Sequence, residues 1–329
     1  MQENNRPLLS IRGLRTTFFT RRGRVNAVDG IDISIPAGKT IGLVGESGCG
    51  KSMTAMSVMG LIQSSGRVTD GAITFGDTDL LSLSRRQLRR ITGDRIAMIF
   101  QEPMTSLNPV ETVGKQVREA VLLHEHVSKE DAKERVLEIF RQVGIPEPER
   151  RYQSYPHQLS GGLRQRVMIG MAMVCSPDLL IADEPTTALD VTIEAQILRL
   201  MKTLQREKHT SILMITHNLG VVAEICDMVY VMYAGRIMEA VDVYELFKNP
   251  GHPYTKGLIH SLPANNIGDE YLFNIPGMVP NMLKVPAGCR FSPRCENACD
   301  RCRMNEPDLY DAGGGHLVRC FRFEKEGME

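Results

Sequence analysis

The eight residues at positions 45–52 have the composition of a phosphate-binding loop. They read Gly-Glu-Ser-Gly-Cys-Gly-Lys-Ser, with glycine at the first, fourth and sixth places. Glycine is needed because several backbone N–H groups must turn toward one anion within a few residues. In such a loop the lysine reaches the β- and γ-phosphates and the final serine binds Mg²⁺. The predicted nucleotide contacts are Gly45, Glu46, Ser47, Gly48, Cys49, Gly50, Lys51 and Ser52.

An acidic pair, Asp183 and Glu184, follows the apolar residues 179–182. A carboxylate at the end of a strand can hold Mg²⁺, and a second one can polarise the water that attacks a phosphoryl group. General-base assistance of this kind raises rates by about 10²–10⁴. The same pair could simply cap a helix, so the catalytic interpretation depends on the other motifs.

Four further segments stand in a fixed order along the chain. Gln101 follows a predicted strand, and a Ser-Gly-Gly triplet at 160–162 precedes the acidic pair. Asp190 follows the pair, and His217 ends another apolar run. Taken singly, the glycine loop could be a turn that binds no ligand, and His217 could be a structural histidine. These explanations do not account for the order of all the segments. Together with the glycine loop, the set resembles the ATP-binding cassette of ABC transporters, over roughly residues 8 to 240.

The resemblance implies a role for each of these residues. Glu184 is the implied catalytic base, His217 the contact to the γ-phosphate, and Gln101 a contact to Mg²⁺ or its water. Mg²⁺ would be held by Ser52, Gln101 and Asp183. In the family, the signature triplet contacts ATP bound to the opposite subunit, so the functional unit is implied to be a dimer. The implied contacts across the dimer interface are Ser160, Gly161, Gly162 and Asp190.

An aromatic residue that stacks on adenine is expected near the end of the first strand. Phe18 is the predicted residue, and its neighbour Phe19 is the alternative. A phenylalanine packed in the core explains either position equally well, so the sequence leaves this choice open.

Short apolar runs alternate with helical patterns, which is typical of a parallel α/β core. Residues 52–61 are predicted to form the helix whose N-terminus receives phosphate. Two amphipathic helices without a strand are predicted between residues 112 and 144, the second starting at a capping pattern on Ser128. The predicted strands are residues 39–44, 95–100, 179–183 and 211–216.

The fold implied by the resemblance is an α/β P-loop NTPase of the ABC cassette type. It has a RecA-like core, a β-subdomain and an α-helical subdomain inserted at about residues 104–175. We predict this nucleotide-binding domain over residues 1–240. Eight prolines after residue 240 predict an irregular C-terminal extension over residues 241–329.

Five of the eight cysteines fall within residues 289–320. In a reducing compartment such a group is more often a metal or cluster site than a disulfide framework. Thiolates suit zinc and iron–sulfur clusters alike. Cys49, far from this group, is expected to contribute only its backbone to the nucleotide site.

The segment His-Pro-Tyr-Thr-Lys-Gly-Leu at 252–258 and the cysteines after it resemble the ATPases of oligopeptide and dipeptide importers. In that branch the extension carries a [4Fe–4S] cluster on four cysteines, and their wide spacing here lacks the paired knuckles of a zinc ribbon. Cys299 adds a fifth candidate. Together with Cys295 and Cys302 it has the spacing of a radical-SAM cluster loop, but the surrounding ABC motifs favour coincidence. Free or weakly metal-binding thiols remain an alternative. The implied ligands are Cys289, Cys295, Cys302 and Cys320.

Bulk charge favours neither nucleic acid nor an anionic membrane as a partner, because basic and acidic residues number 39 each. No apolar run approaches the about 20 residues that span a bilayer, and the first seven residues lack a signal-peptide pattern. We therefore expect a peripheral protein on the cytoplasmic side of the cell membrane, which it contacts through partners.

The resemblance implies an ATPase subunit that uses ATP and Mg²⁺ to drive uptake of di- or oligopeptides. The expected partners are a second, related cassette, two membrane permeases and an extracytoplasmic binding protein, without nucleic acid. Nickel or another small solute is the alternative cargo. A soluble ABC ATPase acting on ribosomes or DNA is the alternative function. The ribosomal factor has two cassettes and an N-terminal cluster domain, and the DNA-repair ATPases have a long coiled-coil insertion, so neither matches this chain.

Overall fold

The computed structural model describes residues 6–101, 106–187, 189–262 and 273–324. The chain divides into two compact units. The first combines Met1–Ile35, Thr40–Leu81 and Ile215–Glu329, and the second combines Pro36–Lys39 and Ser82–Met214. The glycine loop and the clustered cysteines therefore belong to the first unit, and the acidic pair belongs to the second.

Twelve strands and eleven α-helices are defined within the described residues. The strands are β1 (Leu9–Thr20), β2 (Gly23–Ile35), β3 (Thr40–Val44), β4 (Gly66–Phe75), β5 (Thr78–Asp79), β6 (Ile96–Ile99), β7 (Leu179–Asp183), β8 (Ser211–Thr216), β9 (Met228–Tyr233), β10 (Arg236–Asp242), β11 (Tyr310–Asp311) and β12 (Leu317–Val318). The helices are α1 (Lys51–Met59), α2 (Arg85–Ile91), α3 (Val113–His124), α4 (Lys129–Gln142), α5 (Pro148–Tyr152), α6 (Gly161–Met173), α7 (Val191–Lys208), α8 (Leu219–Ile225), α9 (Val243–Lys248), α10 (Pro253–His260) and α11 (Asp300–Met304). In the ranges that the structure describes, none of these helices combines the length and the apolar character needed to cross a bilayer.

An antiparallel sheet in the order β2-β1-β4-β5 forms one part of the first unit. β1 pairs with β2 from Leu9 opposite Ile35 to Thr20 opposite Gly23. Buried and exposed residues tend to alternate along both strands, because successive side chains of a strand point to opposite faces. This sheet corresponds to the β-subdomain expected from the resemblance.

A second run of strands in the first unit has the order β11-β12-β10-β9-β3. β3 is parallel to β9, with Val44 opposite Val231. Every residue of β3 is buried, as expected for a parallel strand that is covered on both faces. The glycine loop leaves the end of β3, and α1 begins at Lys51.

The second unit contains β6, β7 and the first four residues of β8 side by side, with β6 parallel to β7. Its helical part contains α3 to α6. The Ser128 side chain accepts a hydrogen bond from the Asp131 N–H at 3.0 Å, so α4 starts at the predicted cap. The four strands predicted around the nucleotide motifs match β3, β6, β7 and β8 to within one residue at each end. The predicted α/β class is thus confirmed, and the domain limits near residues 104, 175 and 240 stay predictions.

The described part of residues 241–329 has only short elements, none longer than the eight residues of α10. It is attached to β10 through Glu239, which is fully buried. The carboxylate of Glu239 accepts hydrogen bonds from the N–H groups of Gly251 at 2.7 Å and His252 at 2.8 Å. Nε2 of His316 lies 2.7 Å from the same carboxylate. A buried carboxylate requires such donors, so these contacts hold the extension against the strand.

Asp29 on β2 is the acidic centre of another buried network in the first unit. Its Oδ1 accepts a hydrogen bond from Arg15 at 2.7 Å, and its Oδ2 contacts the guanidinium of Arg290. Arg236 lies 3.9 Å from Oδ2. Burial alone would raise the pKa of Asp29, but hydrogen bonds from Arg15 and Arg290 outweigh burial and lower it. The network joins a residue of the extension to the antiparallel sheet.

Asp29→Asn is expected to lower the free energy of unfolding by about 3 kcal/mol at pH 7, because it removes the carboxylate that Arg15 and Arg290 share. The two arginines would keep longer carboxylate contacts, with Asp70 and Glu306 respectively, both at 3.3 Å. The folded-state pKa of Asp29 lies below its unfolded value of 3.8. Its stabilising contribution is therefore present above about pH 4 and is lost as the pH falls through the folded pKa. Denaturant unfolding of both proteins at pH 7 and at lower pH measures this difference.

Asp70→Asn is the control for this substitution, because Asp70 is an exposed partner of Arg15 at 3.3 Å. We expect it to change stability by less than about 1 kcal/mol. Equal losses for the two variants, or a difference between wild type and Asp29→Asn that does not shrink in acid, would contradict the role given to Asp29.

Candidate functional site

Close backbone contacts require the glycines of the phosphate loop. A Cβ atom at Gly45 would lie 2.0 Å from the carbonyl oxygen of Met232, and one at Gly50 would lie 2.3 Å from that of Ala27. Both glycines also have positive φ angles, 154° and 112°. A side chain at either position would collide with backbone, so only glycine allows this turn. The turn leads into the N-terminus of α1, where an anion is favoured.

Lys51 is folded back onto the loop that it is predicted to serve. Its Nζ donates hydrogen bonds to the carbonyl oxygens of Gly45 at 2.7 Å and Glu46 at 3.0 Å. The side chain of Lys51 is therefore held at the loop, and its contact with phosphate stays a prediction. Cys49 is fully buried, and burial raises the pKa of its thiol. The thiol lies 3.8 Å from Nζ of Lys51, and the expectation that Cys49 contributes only its backbone to the nucleotide site stays a prediction.

Glu46 has two partners that sequence reasoning missed. Its carboxylate accepts two hydrogen bonds from the Arg294 guanidinium, at 2.7 and 3.0 Å. Its backbone N–H donates to the hydroxyl of Tyr254 at 2.9 Å. These partners follow Glu46 by 248 and 208 positions, and no local pattern could have paired them. The only signal was the segment at 252–258, which indicated a branch of the family and not a contact.

The other candidates of the first unit lie at the ends of strands. His217 follows β8 and is exposed. Phe18 and Phe19 both lie near the end of β1, as predicted. Phe18 is half-buried beside Gly66, whereas Phe19 is 40% exposed beneath the Arg67 guanidinium, 4.8 Å from its ring centroid. The choice of adenine-stacking residue stays open.

Gln101 and Glu184, which the sequence places 83 positions apart, are brought together in the second unit. Nε2 of Gln101 donates to Oε2 of Glu184 at 2.9 Å, and the Thr187 hydroxyl donates to the same oxygen at 2.9 Å. Asp183 is buried as the last residue of β7. Glu184 has a positive φ of 47°, a rare conformation for a residue with a side chain. The arrangement orients a carboxylate directly beyond the strand, as a water-activating base requires.

The signature triplet lies at the start of α6. The Ser160 side chain accepts a hydrogen bond from the N–H of Leu163 at 3.4 Å, which makes it the N-cap of the helix. Gly161 and Gly162 form its first turn, and Asp190 precedes α7. Ser160, Gly161 and Asp190 are exposed in the single chain. These positions are accessible to a second molecule, and their contact with its nucleotide stays a prediction.

The clustered cysteines of the first unit converge on one cavity of about 370 Å³. Sγ of Cys299 lies 3.4 Å from Sγ of Cys302. Burial raises the pKa of the Cys289 thiol to about 11. Within the described ranges, no group of three or more His, Cys, Asp or Glu side chains is arranged to hold a single metal ion. The cysteines that line the cavity are Cys289, Cys295, Cys299, Cys302 and Cys320.

Two family profiles match the chain. The ABC transporter profile matches residues 28–187, which include the glycine loop and the acidic pair. The profile of the C-terminal region of oligopeptide/dipeptide transporters matches residues 238–302.

Curated relatives match nearly the whole chain. The oligopeptide transport ATP-binding protein AppD of Bacillus subtilis is 50% identical over 98% of both chains. The oligopeptide transport ATP-binding protein OppD of Escherichia coli is 48% identical over 98% of this chain and 95% of its own.

Solved structures show the same fold. The ATP-binding cassette MJ0796, in a dimeric post-hydrolysis state with ADP and Pi, aligns with a TM-score of 0.65 at 25% identity, covering 71% of this chain and 98% of its own. The cbiO1 protein of Clostridium perfringens aligns with a TM-score of 0.63 at 27% identity, covering 74% of this chain and 92% of its own. The chain therefore belongs to the ATP-binding subunits of ABC transporters, in the branch of the oligopeptide transport ATP-binding proteins.

Proposed function

We propose that this chain hydrolyses ATP to drive the import of di- or oligopeptides. The observation that carries the proposal is the combination, in one chain, of the ABC nucleotide motifs and the C-terminal region of peptide transporters. Relatives named as oligopeptide transport ATP-binding proteins support a peptide cargo. Nickel or another small solute is the alternative cargo.

Glu184 is the proposed general base for the water that attacks the γ-phosphate. The hydrogen bonds from Gln101 and Thr187 to its Oε2 restrict the rotation of the carboxylate. Lys51 and the N–H groups of the glycine loop stabilise the negative charge of the phosphates, and His217 is the proposed contact to the γ-phosphate. Mg²⁺ would be held by Ser52, Gln101 and Asp183, and when bound it would neutralise part of the charge on the phosphates.

The proposed working unit contains two cassettes. Ser160, Gly161 and Asp190 are exposed and available to ATP bound on a second subunit. The dimeric ABC cassettes that resemble this chain support such an arrangement. We propose that the second cassette is a different, related chain.

The remaining proposed partners are two membrane permeases and an extracytoplasmic substrate-binding protein, without nucleic acid. Relatives named as oligopeptide transport and putative peptide import ATP-binding proteins support this assembly, because an ATP-binding subunit needs partners that span the membrane for transport. The chain would then be a peripheral protein on the cytoplasmic side of the cell membrane.

The cysteine cavity has the donors for an iron–sulfur cluster. Its sulfurs share one space of about 370 Å³, whereas a single tetrahedral ion needs four sulfurs within about 2.3 Å of one point. A cluster distributes its irons and so suits more widely separated thiolates. We propose Cys289, Cys295, Cys302 and Cys320 as ligands of a [4Fe–4S] cluster that would cross-link the extension.

Glu184→Gln is expected to leave ATP binding intact and to lower the rate of hydrolysis by about 10²–10⁴, because the amide cannot accept a proton. Nucleotide titration and steady-state phosphate release measure the two quantities. Glu207→Gln, at an exposed position near the end of α7, is the matched control and should keep the wild-type rate. A Glu184→Gln protein with most of the wild-type activity would show that another residue is the base.

Isolation of the tagged chain from its native membranes is expected to recover two permeases and a second cassette. After reconstitution with the binding protein, oligopeptides should stimulate ATP hydrolysis, because the proposed function couples hydrolysis to import of the peptide. Stimulation of ATP hydrolysis by nickel in the absence of peptide would show that nickel, and not a peptide, is the cargo. Nuclease-sensitive association with ribosomes or DNA, without permeases, would overturn the importer proposal.

Anaerobic purification is expected to yield about four iron atoms and four sulfides per chain, as the proposed cluster requires. Serine in place of Cys289, Cys295, Cys302 or Cys320 should abolish iron retention. Cys299→Ser is the control that should retain it. Zinc without iron and sulfide would overturn the cluster assignment, and loss of iron in Cys299→Ser would revise the ligand set.

A further inference from the structure

Arg294 is held by five hydrogen bonds from its guanidinium. Two of them go to the carboxylate of Glu46, at 2.7 and 3.0 Å. Nε donates to the carbonyl oxygen of Pro276 at 2.9 Å, and Nη2 donates to that of Ile275 at 3.1 Å. Nη1 also lies 3.4 Å from the hydroxyl of Tyr233. The Arg294 side chain is 4% exposed and the Glu46 side chain 26%, so the contact is partly buried as well as bidentate.

Glu46 introduces a negative charge into a loop that binds a polyanion. Its backbone carbonyl accepts a hydrogen bond from Lys51 Nζ at 3.0 Å, so this residue adjoins the lysine that serves the phosphates. An uncompensated carboxylate here would repel the nucleotide and compete with it for Lys51. The bidentate contact with Arg294 supplies the opposite charge and engages both carboxylate oxygens.

The segment that carries Arg294 packs against the end of β9. Arg294 ends the 3₁₀ turn Ser292–Arg294 of the extension. The rings of Tyr233, Tyr254 and Phe291 pack around one another with centroid separations of 4.7 to 5.4 Å. The hydroxyl of Tyr254 accepts the backbone N–H of Glu46 at 2.9 Å. Two elements of the extension thus contact the same loop residue, one at its side chain and one at its backbone.

We propose that Arg294 and Tyr254 are positioning residues of the ATP site. The C-terminal extension holds the phosphate loop through Glu46 and cancels the charge of that carboxylate. The inference rests on the proposed ATPase function and adds to it a set of residues that lie outside every nucleotide motif.

Arg294→Gln in the full-length chain is the first test. We expect the Kd for a fluorescent ATP analogue and the KM for ATP to rise about tenfold, with kcat at saturating ATP changed by less than about threefold. Arg303→Gln is the control, because Arg303 is an exposed residue of the same extension that pairs with Asp300 at 2.8 Å. Its Kd should equal that of the wild type.

The charge argument predicts a rescue. Glu46→Gln added to Arg294→Gln should restore most of the lost affinity, because it removes the uncompensated carboxylate. Arg294→Lys should give an intermediate Kd, since lysine keeps the charge but not the bidentate geometry. Tyr254→Phe should raise the Kd less than Arg294→Gln does, because it removes a single hydrogen bond.

Two results would overturn the inference. One is an unchanged Kd in Arg294→Gln. The other is a raised Kd that Glu46→Gln does not restore, accompanied by a lower melting temperature, which would make Arg294 a purely structural residue. Absence of ATP binding by the wild-type chain would refute the proposed function and the inference together. An unchanged Kd in Arg294→Gln, with ATP binding by the wild type, would refute the inference alone.

Discussion

The phosphate loop is built by backbone packing that leaves no space for a Cβ atom at two positions. Gly45 lies against the carbonyl of Met232 near the end of β9, and Gly50 lies against that of Ala27 on β2. The loop is therefore defined by the two sheets of the first unit and not by its own residues alone. The packing that positions these two carbonyl groups also positions the loop.

Acidic residues connect the C-terminal extension to the rest of the first unit. Asp29 contacts Arg290, Glu46 contacts Arg294, and Glu239 accepts from the backbone at 251–252. Each carboxylate is buried or partly buried and would be costly without donors. Loss of the extension would remove these donors from Glu46 and Glu239. It would also remove Arg290 from Asp29, which would keep Arg15. The extension thus contributes to the stability of the first unit, although its short elements distinguish it from the rest of that unit.

The second unit contains Glu184, the residue proposed to activate the attacking water. The Glu184 carboxylate is oriented by two side chains that donate to one oxygen. Its positive φ directs the residue sharply away from β7. Strained backbone conformations are often found at functional sites, where they orient a side chain. The neighbouring Asp183, by contrast, is a buried residue of the strand. The acidic pair therefore has two residues with different surroundings, which suits the different roles proposed for them.

The sequence by itself determined the class of fold, the nucleotide motifs and the branch of the family. These depend on local rules: glycine where φ is positive, apolar runs where parallel strands are buried, and a serine cap where α4 begins. The limits of β7 and β8 were predictable because polar turns flank continuous apolar runs. Only the tertiary structure decided that Glu46 meets Arg294 and that Asp29 meets Arg290. Pairs separated by 248 and 261 positions leave no periodic trace in the chain, because their contact depends on how whole elements pack.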